Sequence, residues 1–318
     1  MNYDIFNGDA DGICALIQLR LASPIESTLI TGIKRDIQLL KKIDAQSGDQ
    51  LTVLDISMQK NTEQVSSFLA KGASIFYADH HQAGTIPQHP NLTALIDTHP
   101  DTCTSLIINQ HLKGQYPLWA ITAAFGDNLF TSAEKLASTL NINPDSLSIL
   151  KNLGTYINYN GYGSCLEDLH FTPEQLYQEM AAYSSPFDFI DDKQLTFNKL
   201  ESGYLEDMQN ATQIQAEYTD TNIAVFILPD QAWARRVSGV FSNDLANQFP
   251  DRAHAVVTHT PAADYQISVR SPLNNKVKAD ELCASFATGG GRKAAAGINH
   301  LPKSELATFI SRFNETYS

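Results

Sequence analysis

The chain has 318 residues, 22 basic and 35 acidic, for a net charge of −13, and 43% of it is hydrophobic. That composition excludes a disordered or collagen-like chain, and no run nears the 18 apolar residues a spanning helix needs. The acidic balance argues against a general binder of long duplex nucleic acid, which needs a broad basic face, while a small anionic substrate held by a few cations remains open.

Length suggests about two domains. The opening Met1-Asn2-Tyr3-Asp4 has no basic stretch, so no signal peptide is expected. Cys14, Cys103, Cys165 and Cys283 lack CxxC spacing, against a zinc or disulfide framework and for a reducing cytoplasm. Short apolar runs predict strands at 3–6, 28–31, 51–54, 73–78 and 92–96. Between them lie helices at 13–21, where Ile13, Leu16, Ile17 and Leu21 share a face, at 36–43, and at 61–71, ended by Gly72. Such alternation means βαβ units and a mainly parallel sheet. Helical spacing recurs at 105–113, 118–125, 132–140 and 147–156, and Thr172-Pro173-Glu174-Gln175 reads as a capping box. A long helix at 192–218, weakest at Gly203, is expected as a connector. A second α/β unit follows, with a strand at 223–228, a helix at 237–248 and a strand pair at 254–259 and 265–270 across a turn at 261–264. Helices at 278–287, ending in Gly289-Gly290-Gly291, and at 303–317 complete it. The expected domains are 1–150, a connector 151–220, and 221–318.

Acidic and histidine residues close three of the strands. Asp9 and Asp11 follow the first, Asp55 the third, and Asp79-His80-His81 the fourth. In an open α/β sheet, ligands bind beyond the carboxyl ends of the strands, so the three groups should converge in one crevice. Carboxylates so close raise one another's pKa, and a divalent cation relieves the conflict. Oxygen donors with an imidazole or two suit Mn2+ or Mg2+, Mn2+ being favoured by the histidine. The number of carboxylates suits two ions acting on phosphorus. Singly, Asp9 and Asp11 read equally well as a solvated loop and helix cap, and Asp79-His80-His81 as a polar strand end. Their convergence favours the metal reading.

Asn7-Gly8-Asp9-Ala10-Asp11-Gly12, Asp55 and Asp79-His80-His81 resemble, in order, the first three motifs of the DHH phosphoesterase superfamily, and Ala124-Phe125-Gly126-Asp127-Asn128 resembles the fourth. Ser268-Val269-Arg270-Ser271 and the run from Gly289 to Gly297 resemble the associated DHHA1 domain. The resemblance spans nearly all the chain outside 150–220. It implies an N-terminal parallel-sheet DHH domain joined by a helical connector to a smaller α/β DHHA1 domain. It implies Asp9 and Asp55 on one ion and Asp11, Asp55, His80 and Asp127 on a second. Asp79 would orient a histidine, and His81 would meet the substrate phosphate or leaving group. Arg270, Ser271, Gly290, Gly291, Arg292 and Lys293 would bind substrate from the second domain. Two stretches depart from the pattern. Asn7 stands where exonuclease-type members carry Asp, and Ile5 where others carry His, so Asn7 is either a weak neutral ligand or only a backbone hydrogen bonder. Arg292 stands where the family has His; it adds a fixed cation beside Lys293 but shuttles no proton at neutral pH.

The activity so implied is hydrolysis of phosphodiester bonds in short oligonucleotides or linear dinucleotides, similar to the oligoribonuclease-like and RecJ-like members. The alternatives are a phosphomonoesterase on a small nucleotide or polyphosphate, a single-strand exonuclease, and a non-catalytic nucleotide-binding protein. Besides the substrate, the partner left open is a second copy in a homodimer. No membrane partner is expected, and the location expected is cytoplasmic. Trp119 and Trp233 are expected in cores, and Arg235 and Arg236 either face the crevice or start a solvated helix.

Overall fold

The computed structural model describes residues 1–260 and 262–317; the start of the expected turn at 261–264, Pro261, lies outside the described residues. The chain forms two compact units. One is Met1–Gly161 with His170–Glu201, the other Tyr162–Leu169 with the residues from Ser202 onward.

In the first unit, β1 (Asn2–Phe6), β2 (Thr28–Ile30), β3 (Gln50–Leu54), β4 (Ser74–Asp79) and β5 (Leu92–Ile96) pair in parallel in the order β2-β1-β3-β4-β5. The chain runs outward in opposite directions from β1 and β3, which makes their carboxyl ends the switch point where such sheets bind ligands. Helix α1 (Ala10–Ala22) follows β1, and α2 (Thr62–Ala70) precedes Gly72, whose φ of 91° ends it. Where a helix was expected at 36–43, only a 3-10 turn forms, Leu39–Lys42. So short a segment does not offset the cost of helix nucleation, and it is held by burying Leu39 and Leu40. Val53, Ile75 and Tyr77 bury in one core with Val65, Phe68 and Leu69, each fully buried side chain being worth roughly 1.5–3 kcal/mol.

The helical layer holds α3 (Thr104–His111), α4 (Pro117–Gly126), α5 (Phe130–Thr139), α6 (Pro144–Asn160), α7 (Pro173–Met180) and α8 (Pro186–Asp192). The Thr172 capping box opens α7. Trp119 is fully buried, and its indole N–H donates to the Tyr183 carbonyl at 2.9 Å. A Cβ on Gly154 of α6 would lie 2.0 Å from the Thr122 carbonyl oxygen of α4. Gly154→Ala is therefore expected to cost about 1–3 kcal/mol through overpacking. A thermal melt should fall by about 2–4 °C per kcal/mol; an unchanged melt would show that the two helices separate freely.

The helix expected at 192–218 is broken at Lys193, which leaves helical backbone angles after α8, so that α9 is Gln194–Thr212. Its far end gives way to β6 (Tyr218–Thr219). The stretch 151–220 is therefore divided between the units instead of standing apart. Arg235 and Arg236 supply a reason. Arg235 grips the Asp168 carboxylate with two bonds of 2.8 Å and reaches Asp230 at 2.7 Å. Arg236 holds Asp207 at 2.8 and 3.2 Å and the Asp168 carbonyl at 2.6 Å. Both arginines tie 162–169 and the end of α9 into the second unit, so neither starts a solvated helix.

The second unit has β6, β7 (Ile223–Leu228), β8 (Ala253–His259), β9 (Tyr265–Arg270), β10 (Gly289–Gly291) and β11 (Ala295–Leu301) in the order β10-β11-β9-β8-β7-β6. Among the described residues of this unit, only β7 and β8 pair in parallel. Its helices are α10 (Ala232–Gln248), α11 (Ala279–Ala284) and α12 (Leu306–Tyr317), and Val225, Val257, Ile267, Phe309 and Phe313 lie in its core. Trp233 is half-buried at the start of α10, bonded to Gln231, and not a core residue. Among the described residues, no helix is long and apolar enough to cross a membrane.

Candidate metal centre

At the end of β1 the chain turns into α1 at Asp9, whose Oδ1 accepts from the N–H groups of Asp11 (3.0 Å) and Gly12 (3.1 Å). Asp9 is thus the helix cap, and its second oxygen is left for other work. The two oxygens of Asp11 accept from the N–H groups of Thr104 and Ser105, each at 2.7 Å. Asp11 thereby caps α3 from another helix, where the side chain of the local N-cap, Cys103, makes no capping bond. Asp55 ends β3 with φ 59°, a left-handed backbone uncommon outside glycine and asparagine. Its Oδ1 accepts from the Thr104 hydroxyl at 3.2 Å.

His80 Nδ1 lies 2.9 Å from the Thr102 carbonyl. A carbonyl only accepts, so Nδ1 carries the proton and Nε2 presents a lone pair. That Nε2 is 3.4 Å from Asp55 Oδ1, 3.7 Å from Asp127 Oδ2 and 3.9 Å from Asp11 Oδ2. Asp127 sits where α4 ends, followed by Asn128 at φ 62°. His81 Nδ1 bonds Asp79 Oδ1 at 2.8 Å and lies 3.7 Å from Asp55 Oδ1. Asp79 is fully buried, and its other oxygen has no hydrogen-bond partner.

Burial raises the pKa of Asp11; His80 opposes the rise, and the charges of Asp127 and Asp9 add to it. Burial, then the charges of Asp9 and Asp11, push Asp55 well above the ordinary carboxylate value. The donors of Asp11, His80 and Asp127 lie within 4.8 Å of one another, as do those of Asp55, His80 and His81. Donors about 2.1 Å from one hard ion stand roughly 3–4 Å apart, which matches the 3.4–3.9 Å separations around His80 Nε2. These groups could bind Mn2+ or Mg2+.

One basic residue at the centre had not been expected there. Lys34 stands in the loop after β2, and its ammonium bonds Asp9 Oδ2 and Asn158 Oδ1 (2.8 Å) and lies 3.6 Å from Asp127 Oδ1. Its N–H donates to the Gly161 carbonyl at 2.8 Å. Asn7 Nδ2 donates to its carbonyl at 3.1 Å, while the buried Asn7 Oδ1 has no hydrogen-bond partner. The rule that located the acids, the carboxyl ends of neighbouring strands, also covers Lys34, which follows β2. Nothing in the local sequence marks Asn158 on α6.

The remaining candidate residues belong to the second unit. Arg270 bonds Asn243 Oδ1 at 2.6 Å and the Gly239 carbonyl at 3.4 Å. The Ser271 hydroxyl donates to the Ala294 carbonyl at 3.2 Å. Gly290 and Gly291 are in strand β10, not in a loop beyond a helix, because Gly289–Gly291 pairs with β11. Gly291, at φ 146°, has an Ala296 backbone contact that leaves no room for a Cβ. Arg292 and Ala295 exchange bonds of 2.8 and 3.1 Å, placing Lys293, which is exposed, at the tip of the hairpin.

No family model and no curated protein sequence matches the chain. Solved structures do. Exonuclease RecJ bound to manganese shares 14% identity at a TM-score of 0.65, over 99% of this chain and 89% of that one. RecJ with Mn2+ from Thermus thermophilus shares 16% at 0.64, over 99% of this chain and 51% of that one, so this chain spans about half of it. A pGpG-specific phosphodiesterase, PggH, from Vibrio cholerae shares 13% at 0.54, over 99% of both chains. The chain accordingly has the fold of the RecJ structures.

Proposed function

We propose that the chain is a divalent-metal-dependent phosphoesterase that hydrolyses the phosphodiester bonds of short oligonucleotides or linear dinucleotides. The observation that carries this reading is the meeting of Asp11, Asp55, His80 and Asp127 at the carboxyl ends of β1, β3 and β4 and the end of α4. The manganese of the RecJ structures and the phosphodiesterase activity named for PggH support it by fold. Bound Mn2+ or Mg2+ would supply Lewis acidity toward a phosphoryl oxygen and lower the pKa of water. The chain's own residues prepare for that. Thr104 and Ser105 hold Asp11 as a carboxylate acceptor, and Thr102 fixes the His80 tautomer with Nε2 available. His81, partly exposed and bonded to Asp79, would give a proton to the leaving oxygen. The net charge of −13 suits a short substrate better than a long strand. The four scattered cysteines suit a cytoplasmic setting.

Purified protein with Mn2+ or Mg2+ should be offered linear dinucleotides, longer oligomers, mononucleotides and polyphosphate. Dinucleotides are expected to be cleaved fastest, faster with Mn2+ than with Mg2+. Cleavage confined to mononucleotides or polyphosphate would move the assignment to a phosphomonoesterase. Undiminished turnover in excess chelator would overturn the metal reading itself.

A further inference from the structure

We infer that Lys34 is a built-in competitor for one of the two cation positions, so that the centre takes up its divalent ions unequally. The inference rests on the metal-dependent reading above and specifies how the ligands are shared. Asp9 is a carboxylate of the first motif, yet its Oδ2 is paired with the Lys34 ammonium, and Asp9 joins neither donor cluster found among the described residues. Asp127 divides its oxygens in the same sense. Oδ1 is 3.6 Å from Lys34 Nζ, and Oδ2 is 3.7 Å from His80 Nε2. The ammonium therefore holds the relation to Asp9 and Asp127 that a bridged cation would hold.

This placement is built. The Lys34 backbone is anchored on both sides, through Gly161 and through Asn7. Asn158 gives the ammonium a neutral oxygen at 2.8 Å, and the side chain is four-fifths buried. Asn7 fits the same design. As a neutral amide it donates to the Lys34 carbonyl, whereas an aspartate there would have no N–H to give and would set its charge against that carbonyl. A strongly attracting acidic group is thus exchanged for the anchor of a lysine. A divalent ion entering the Asp11, Asp55, His80 and Asp127 set meets no cation in direct contact with Asp11 or Asp55. An ion that needs Asp9 has to displace Lys34 first. A fixed charge a few ångströms away in a partly buried site weakens cation binding by at least about tenfold.

The test is Mn2+ binding, read by calorimetry and by the loss of the free-Mn2+ paramagnetic resonance signal, with no turnover involved. The wild-type chain should bind one ion tightly and a second at least about tenfold more weakly. Lys34→Met, of similar length and uncharged, should bring the second step to within a few-fold of the first. Lys34→Arg should leave the two steps apart. Two ions of equal affinity in the wild-type chain would overturn the inference while leaving the metal reading standing, and so would a second step that Lys34→Met does not tighten. No Mn2+ binding at all would overturn the metal reading and the inference with it. If Lys34→Met fails to fold, by circular dichroism, the wild-type isotherm still decides.

Discussion

Asp55→Asn is expected to fold as the wild-type chain does and to lose at least about a thousandfold in kcat/KM together with most of its Mn2+ affinity. Asp55 Oδ1 lies within 3.2–3.7 Å of Thr104, His80 and His81, so one charge serves three neighbours. No other acid of the cluster is set between both histidines. Asparagine keeps the shape and tolerates φ 59°, where alanine would add a backbone cost of about 1–2 kcal/mol. The pair Asp55→Asn and Asp55→Ala therefore separates charge from strain. Both should be inactive, and only the alanine should melt measurably earlier. Because Asp55 is buried and its carboxyl is already pushed toward the neutral form, removing its charge should if anything stabilise the protein in excess chelator. If Asp55→Asn keeps more than about a tenth of the wild-type rate, Asp55 does not hold the reacting cation and the centre has been misread.

How far the sequence reveals such a site depends on whether the structural cause is local. β1, β3 and β4 are strands of five or six residues, with acids or histidines at their carboxyl ends or within a few residues beyond. Their phase is set by alternation and burial, so the strand-end rule could bring Asp9, Asp55 and His80 together. The long-range causes leave no such trace. Asp11 caps α3 from 93 residues away, and no window of sequence contains both. Asn158, which meets the Lys34 ammonium, lies 124 residues from it on α6. The triple glycine after an amphipathic run is equally good as a helix end and as a strand, and only the pairing of Gly290 with Gly297 across the hairpin chooses. Arg235 and Arg236 read as a polar helix start because their partners, Asp168 and Asp207, are tens of residues distant. What stayed hidden was in each case a contact between segments.

Stripping the metal should abolish turnover and also change how stability depends on pH. The pKa values of Asp11 and Asp55 are raised on folding, chiefly by burial. For an acid whose folded value is raised, the folded state holds its proton where the unfolded chain has lost it. The two groups therefore stabilise the fold least at high pH. In excess chelator their contribution falls as pH rises from the ordinary carboxylate value of 3.8 through the raised folded values, and the loss is complete above them. A bound divalent ion requires both groups ionised and releases their protons, so its affinity rises over the same window. At a hundredfold excess over its dissociation constant, Mn2+ adds about 2.7 kcal/mol, or roughly 5–10 °C in Tm for a unit of this size. The increment in Tm between Mn2+ and chelator should thus be larger at about pH 7.5 than at about pH 5.5. Taking the increment cancels every group that titrates alike in both conditions. Asp55→Asn should shrink it at the higher pH, since one of the two protons is no longer there to release. An increment that is flat with pH, or larger on the acid side, would mean that the cation is not held by the buried carboxylates of β3 and α1.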